Sequence, residues 1–292
     1  GIDDRRFSRA NDRRRGGFVE SQGGGTLLLA RGDVALRMGL PVLGVVAYAG
    51  SFGDGIHQSI PAPGLGALAA GLGGPESPLA RSLATHGVTA DDIAVVSKHD
   101  TSTAANDPNE SDLHERLATA LGRNDGNPLL VVSQKSLTGH AKGGAAAFQL
   151  VGLCQTLVDG VVPPNRSLDC VDEALAKHQR LVWLREPLAT GPLKAGLVTS
   201  LGFGHVAGLV AVVHPEAFLA TLDGSERASY EVAARRRRVE GKLRIARVML
   251  GEDGYTKPRG RRLGESGKSD LEAAVLLDAG ARLGEDEVYA CQ

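Results

Sequence analysis

Short, largely apolar runs separated by segments with helical character constrain the fold of this 292-residue chain more than any other feature. The clearest runs are residues 93–97, 129–132, 197–201 and 209–213. A strand without alternating polar positions is covered on both faces, as in sheets that have helices on each side. The pattern therefore predicts an α/β layered fold through about residue 215, with the last two strands paired as a hairpin.

Other elements are predicted from the same periodicity and from the positions of glycine and proline. Helices are expected over residues 33–38, 109–121 and 143–158, with an interrupted helix over 66–86. Strands are expected over residues 41–48 and over 26–30, an apolar run that follows three glycines. Helices thus lie between most of the strands, which favours the same layered fold.

The sequence changes character beyond Ala220. Between Arg235 and Arg262 there are eleven lysines and arginines against three acidic residues, and glycine, serine and charged residues follow. Such a segment predicts a helix with an extended tail rather than part of a packed core. We therefore expect two parts, with residues 1–219 forming the layered fold and residues 220–292 forming a basic C-terminal extension.

Composition disfavours several classes of protein. No run approaches the ~20 apolar residues of a membrane span, and the arginine-rich start lacks the apolar core of a signal peptide. The cysteines (Cys154, Cys170 and Cys291) are far apart and lack zinc-knuckle spacing, as suits a reducing compartment. The net charge of −1 does not suit a polyanion binder. We expect a cytoplasmic protein that binds neither a membrane nor nucleic acid.

Two histidines follow directly on predicted buried strands. His99 lies in the segment KHDTST at 98–103, and His140 ends the segment KSLTGH at 135–140, which precedes a helix of small residues. Ligands of α/β sheets bind in the loops beyond the carboxyl ends of the strands. A lone histidine is more often structural than functional, so position alone does not assign a function to either residue.

The spelling of both segments resembles the two histidine motifs of the β-ketoacyl synthases of the thiolase superfamily, His-Gly-Thr-x-Thr and Lys-Ser-x-x-Gly-His. In the multifunctional type I fatty acid synthases of mycobacteria and their relatives, HDTST, SQKSLTGH and a Gly-Phe-Gly turn occur in this order. Here they occupy residues 99–103, 133–140 and 202–204. Residues 11–25 are similar to the family's Asp-x-x-Arg-x-Gly-Phe-Val segment. The resemblance covers about residues 8–215, and the 41-residue separation of the two histidines adds to its specificity.

This resemblance implies a thiolase-like layered fold, the C-terminal half of an α/β/α/β/α ketosynthase core, followed by the helical and extended tail. It also implies part of a 3-oxoacyl-[acyl-carrier-protein] synthase of fatty acid biosynthesis. That enzyme holds an acyl chain on a cysteine, decarboxylates a malonyl thioester, and joins the resulting enolate to the acyl carbonyl. His99 and His140 correspond to the pair whose N–H groups hold the enolate oxygen. The helix after His140 should add positive potential and keep that imidazole neutral.

None of the three cysteines occupies the small-residue turn between strand and helix where the family's nucleophile lies. By itself the chain therefore has no acyl acceptor and is expected to be inactive. Lys135 and Glu110 correspond to the family's lysine and its partner carboxylate, and we expect a buried ion pair between them. Phe203 corresponds to the phenylalanine that gates the acyl pocket and helps to form the oxyanion hole. His205 replaces the second glycine that commonly follows this turn.

The resemblance further implies substrates that are carried on the phosphopantetheine arm of an acyl carrier protein. Thr101 and Thr103 correspond to threonines that hydrogen-bond this arm, and Ser59 is assigned the same role. No cofactor or metal is expected in this portion of the synthase. The expected partners are the acyl carrier protein with its malonyl or acyl thioester, the N-terminal half of the ketosynthase, and further copies in a homo-oligomer.

Other functions compete with this interpretation. A non-catalytic thiolase-like scaffold or dimerisation module is the main alternative, but the joint presence of the histidines, the lysine, the glutamate and the phenylalanine favours the enzyme. A zinc hydrolase using both histidines lacks a third ligand. The segment GFGHVAG at 202–208 does not have the spacing of a dinucleotide loop. The arginine runs at 13–15 and 235–238 lack the interleaved aromatic residues of a nucleic-acid surface, which favours a solvated face or contact with an acidic protein.

Overall fold

A six-stranded mixed sheet organises the computed structural model, which describes residues 7–54, 65–202 and 206–252. In spatial order its strands are β1 (Val45–Gly53), β8 (Val206–Val213), β7 (Ala195–Gly202), β2 (Ile93–Ser97), β3 (Leu129–Val132) and β5 (Leu181–Trp183). β8 is antiparallel to both β1 and β7, whereas β7, β2, β3 and β5 run parallel to one another. The carboxyl ends of β7, β2 and β3 therefore meet at one edge of the sheet.

The remaining elements are helices and one small ribbon. The α-helices are α1 (Gly32–Met38), α2 (Pro78–Ala84), α3 (Asn106–Ala120), α4 (Lys135–Thr138), α5 (Ala145–Asp159), α6 (Glu216–Leu219) and α7 (Gly224–Met249). Short 3₁₀ helices occupy Leu65–Ala70, Gly74–Glu76, Ala90–Asp92 and Lys142–Gly144. The ribbon pairs β4 (Val161–Val162) with β6 (Leu188–Ala189) in antiparallel fashion. In the described part of the chain, no helix is both long and apolar enough to cross a membrane.

Both faces of the sheet are buried at its central strands, as the apolar runs predicted. Neighbouring residues of a strand point to opposite faces, yet Val95 and Val96 are 1% and 0% exposed. Val96 belongs to a core that contains Leu113 of α3, whereas Val95 belongs to a separate core that contains Leu157 of α5. Helices thus cover the central strands from both sides and leave the loops at the carboxyl edge to form a site.

Most predicted elements are present with small shifts in their ends. The strands at 93–97 and 129–132 have the predicted bounds, and β7 and β8 form the predicted hairpin. The helices predicted at 109–121 and 143–158 are α3 and α5. The helix expected over 66–86 is divided into two 3₁₀ helices and α2, because the backbone at Gly73 and Gly74 has positive φ.

The strand predicted at residues 26–30 is absent from the described structure. Residues 21–31 form neither helix nor strand, and Leu28 and Leu29 are 79% and 77% exposed. A strand needs a neighbour for its backbone N–H and C=O groups, and none of the described strands pairs with this run. The prediction of a strand at residues 26–30 from local apolar character was therefore wrong.

The chain divides into two compact units, Gly1–Arg237 and Arg238–Gln292. The start of α7 packs within the first unit. The hydroxyl of Tyr230 donates to the carbonyl of Leu40 at 2.7 Å and accepts from the N–H of Val42 at 3.1 Å. Of the second unit the structure describes residues 238–252, which contain the end of the predicted basic helix.

Candidate active site

The two histidines of the predicted motifs lie side by side at the carboxyl edge of the sheet. His99 follows β2 by two residues, and His140 follows β3 after the single turn of α4. Their ring centroids are 5.2 Å apart and the rings meet edge to face at 84°. Two segments that are 41 residues apart in sequence thus bring two imidazoles to one place, as the resemblance implied.

The backbone at Gly139 allows the chain to reach this arrangement. Gly139 ends α4 with a φ of 72°, a conformation that residues with a side chain rarely adopt. A Cβ at this position would lie 2.8 Å from the Cβ of Ser21. The glycine of the Lys-Ser-x-x-Gly-His motif therefore lets His140 approach the segment that contains Val19 and Ser21. There the N–H of His140 donates to the carbonyl of Val19 at 2.7 Å.

The hydrogen bonds of His99 determine its tautomer. The ammonium of Lys135 lies 3.1 Å from Nδ1 of His99 and also donates to the His99 carbonyl. An ammonium can only donate, so Nδ1 accepts and the ring proton resides on Nε2. Burial, followed by the charge of Lys135, holds the pKa of His99 well below its ordinary value. His99 is therefore a neutral imidazole with an N–H on Nε2.

His140 has the same tautomer for a different reason. Its Nδ1 accepts the backbone N–H of Lys142 at 3.1 Å, which leaves the ring proton on Nε2. Burial, with smaller contributions from Lys135 and Lys142, lowers the pKa of His140 to about 4. The Phe18 ring lies 5.2 Å from the imidazole, and the ammonium of Lys142 lies 4.6 Å from the Phe18 ring centre. At neutral pH both histidines thus present an N–H, which is what a developing oxyanion requires.

Lys135 and Glu110 do not form the direct ion pair that was expected. Among the described residues no salt bridge joins them; the lysine instead contacts His99, with the Gln149 amide oxygen at 3.5 Å. The two groups interact only through space. Burial lowers the pKa of Lys135 to about 8, and the charge of Glu110 raises it in part. The lysine therefore contacts the His99 ring and carbonyl rather than closing a salt bridge.

Glu110 holds the backbone of the histidine loop. Its carboxylate accepts the N–H of His99 at 2.6 Å and the N–H of Asp100 at 2.9 Å, and the hydroxyl of Thr199 also donates to it. The side chain is fully buried, and burial, followed by the charge of Asp100, raises its pKa. The glutamate thus connects α3 and β7 to the turn that carries His99.

The two predicted threonines lie beside His99, whereas two other predicted residues fall outside the described ranges. The hydroxyls of Thr101 and Thr103 are 2.9 Å apart, and Thr103 Oγ1 also accepts the N–H of Asn106. Thr101 is buried and Thr103 is partly exposed. Ser59 and Phe203 lie among residues that the structure does not describe.

Sequence reasoning missed a buried polar network behind the histidines. The ammonium of Lys98 lies 2.7 Å from the carboxylate of Asp100, and both side chains are fully buried. Asp107 accepts the backbone N–H groups of Asn11 and Thr101, and burial raises its pKa to about 7. The available signal was the charged pair Lys98 and Asp100 directly after an apolar strand, where such residues are expensive to bury.

The described residues contain no group of three or more His, Cys, Asp or Glu side chains arranged to hold a metal ion. Cys154 lies in α5, where burial raises the pKa of its thiol. Cys170 is exposed, and its backbone N–H donates to Asp12. The shift at Cys154 is opposite to that of an activated nucleophile, whose pKa is depressed.

Comparisons with known proteins agree with the fold. Residues 43–169 match the family described as "Beta-ketoacyl synthase, C-terminal domain". The chain is 44% identical over 242 residues to the fatty acid synthase alpha subunit stcJ of Emericella nidulans, covering 82% of this chain and 15% of that protein. It is 37% identical over 280 residues to fatty acid synthase 2 of Mycosarcoma maydis, covering 92% of this chain and 7% of that protein.

Solved structures give the same fold. The ketosynthase FabY from P. aeruginosa superposes with a TM-score of 0.76 at 25% identity, over 90% of this chain and 41% of that one. A type II polyketide ketosynthase in complex with its acyl-carrier protein gives a TM-score of 0.61 at 23% identity, over 73% of this chain and 49% of that one.

The class of protein follows from these findings: the chain has the thiolase-like α/β fold of the ketosynthases. More particularly, it carries a β-ketoacyl synthase C-terminal domain similar to that of fatty acid synthases. The relatives compared above are fungal fatty acid synthases, so the narrower resemblance to mycobacterial synthases remains a prediction. The chain spans less than a fifth of the length of these relatives.

Proposed function

We propose that this chain supplies the enolate-stabilising half of a β-ketoacyl-[acyl-carrier-protein] synthase of fatty acid biosynthesis. The observation that supports the proposal is the pair of imidazoles 5.2 Å apart, each with Nδ1 occupied as an acceptor. Two fixed Nε2–H donors suit a reaction in which negative charge develops on one oxygen. Neutral rings also suit this reaction. A protonated imidazole would carry a second N–H on Nδ1, which faces the Lys135 ammonium in His99 and the Lys142 backbone N–H in His140.

The proposed reaction is a decarboxylative Claisen condensation. The bond between the malonyl α-carbon and its carboxylate breaks, CO2 leaves, and the electron pair remains as an enolate whose oxygen accepts from His99 and His140. The α-carbon then attacks the acyl thioester carbonyl, a new carbon–carbon bond forms, and the thiolate of the acyl-bearing cysteine departs. We assign that cysteine to an upstream part of the synthase, because Cys154 lies within α5 and Cys170 lies in a loop, neither of them at a turn between strand and helix.

Substrates and partners follow from the same proposal. We assign contacts with the phosphopantetheine arm to the Thr101 and Thr103 hydroxyls, and to Ser59 outside the described ranges. Phe203, also outside them, is assigned to the acyl pocket. The proposed partners are an acyl carrier protein, the N-terminal half of the ketosynthase and a second copy of the protein. We also propose that the protein functions in the cytoplasm and that it is related to the mycobacterial synthases. Residues 220–292 are proposed to form a separate extension.

The first test extends the chain upstream in its own coding sequence until the complete ketosynthase is present. Malonyl-thioester decarboxylation and condensation with an acyl thioester should both appear, and substitution of the upstream cysteine by alanine should stop condensation. An extended protein that lacks a cysteine at a turn between strand and helix, and shows neither reaction, favours the alternative of a non-catalytic scaffold. The upstream sequence also shows whether the resemblance to the mycobacterial synthases extends beyond the present chain.

The pH dependence of decarboxylation offers a second test. As an ammonium, Lys135 can only donate to Nδ1 of His99 and adds positive charge to this bond, and its pKa is about 8. The group is protonated below this value, so the rate should be high near pH 7 and fall as pH rises through about 8. Initial rates of the extended enzyme from pH 6 to 10 measure this limb. Lys135→Met should lower the rate and abolish the limb, whereas a wild-type rate that stays constant to pH 10 contradicts the assignment.

A further inference from the structure

Asp100 occupies a backbone conformation that normally selects glycine. Its φ is 32°, in the left-handed region, and Ser102 two residues later has a φ of 62°. Residues with a side chain are uncommon there. An aspartate in a strained position requires compensation from contacts made by its side chain.

Those contacts involve both carboxylate oxygens. Oδ1 lies 2.7 Å from the ammonium of Lys98. Oδ2 accepts from the side-chain amide of Asn11 at 2.7 Å and from the hydroxyl of Ser133. All four side chains are buried, with Lys98, Asp100 and Asn11 at 0% exposure. We call these four residues the Asp100 network.

The network joins three segments that each carry part of the site. Lys98 and Asp100 flank His99, and Ser133 precedes α4 with its Lys135. Asn11 lies in the segment that continues to Val19, whose carbonyl accepts the N–H of His140. The Asp100 carboxylate thus connects three segments through its contacts with Lys98, Asn11 and Ser133. The first precedes His99, the second continues to the residues that contact His140, and the third leads into the turn that contains Lys135.

We propose that Asp100 is a positioning residue that fixes the relative placement of His99 and His140 through Lys98, Asn11 and Ser133. The inference rests on the proposed function of the two histidines. The carboxylate does not reach either ring, so it acts through the three segments it connects. The other charged groups facing the network from the elements around it are Arg15, Asp107, Glu110 and Lys135.

The contacts of Lys98 separate this role from simple charge neutralisation. Its ammonium also donates to Asn11 Oδ1 at 3.0 Å and to the hydroxyl of Ser111 at 2.9 Å. If Asp100 served only to balance that ammonium, removal of both charges together would restore activity. If Asp100 positions the loops, the bonds from Asn11 and Ser133 remain unmade in the double variant and activity stays low.

The test uses the full-length enzyme and follows malonyl-thioester decarboxylation. Asp100→Gly relieves the backbone strain but removes the network, so kcat should fall about 100-fold with KM changed less than about threefold, as expected for displaced catalytic groups. Asp100→Asn, which keeps an acceptor oxygen, should recover about tenfold of this loss. Lys98→Met with Asp100→Gly should stay as slow as Asp100→Gly.

Ser102→Gly is the matched control, since it relieves a positive φ in the same loop and removes a single side-chain bond, to the N–H of Arg9. It should keep wild-type kcat. Rates are expressed per folded molecule from a thermal melt, and Asp100→Asn replaces Asp100→Gly if the latter does not fold. A wild-type kcat in Asp100→Gly or Asp100→Asn, or recovery in the double variant, overturns the inference. An inactive wild-type enzyme, or one indifferent to His140→Ala, overturns the proposed function instead.

Discussion

Replacing His140 with alanine in the complete enzyme is expected to slow malonyl decarboxylation by about 10²–10³-fold, the usual effect of removing one donor from an oxyanion site. The ring supplies an Nε2–H because Nδ1 already accepts the Lys142 N–H. In the proposed function, alanine leaves His99 as the sole imidazole donor to the enolate oxygen. The measurement is CO2 release from a malonyl thioester at neutral pH, with kcat and KM determined separately.

The control for this prediction is a histidine outside the site. His86 lies in the turn after α2 and is partly exposed, so His86→Ala should keep the wild-type rate. His99→Ala should resemble His140→Ala. The double variant should lose less than the product of the two single effects, because in the proposed function both rings act on one oxygen. Decarboxylation within threefold of wild type in folded His140→Ala would mean that the ring does not hold the enolate.

Glu110→Ala is expected to produce the largest loss of stability among the site variants, about 3–5 kcal/mol in the free energy of unfolding. The carboxylate accepts from the N–H groups of His99 and Asp100, the Thr199 hydroxyl and the Asn106 amide, and alanine leaves these buried donors without an acceptor. Urea unfolding followed by circular dichroism measures the change. Activity should fall with it, because the backbone that carries His99 loses its anchor.

Glu110→Gln separates shape from charge. The amide keeps one acceptor oxygen, so it should cost about 1–2 kcal/mol, less than alanine. Burial raises the pKa of Glu110. As pH rises past the ordinary glutamate pKa, the unfolded state therefore loses this proton before the folded state does. This contribution to stability is present at low pH and declines as pH rises above the ordinary glutamate range. The decline should be shallower in Glu110→Gln, and an unchanged slope would show that another group, such as Asp107, is responsible.

Local pattern was sufficient for the central strands and failed at the periphery. Residues 93–97 and 129–132 are apolar at nearly every position, a pattern typical of strands that are buried on both faces. They form β2 and β3 with those bounds. Residues 26–30 have the same local character but are exposed and unpaired. Apolar content does not specify whether a partner strand is available, and that decides whether a strand forms.

The candidate site shows the same division. Motif spelling predicted that His99 and His140 would meet, because parallel strands place their following loops at one edge of the sheet. It did not predict that Lys135 would contact His99 in place of Glu110. Lysine has a long, flexible side chain, so its partner depends on which acceptor lies within a few ångströms after packing.

The sequence by itself determined the α/β layering and the identity of the residues at the carboxyl edge, because both are encoded in short runs of neighbouring residues. Only the tertiary structure decided the tautomers of the two imidazoles and the partners of the buried charges. Those depend on contacts such as Asn11 with Asp100 and with Ser133, which are 89 and 122 residues apart in the chain. Hydrogen bonds require placement within a few tenths of an ångström, and only the packed fold provides it.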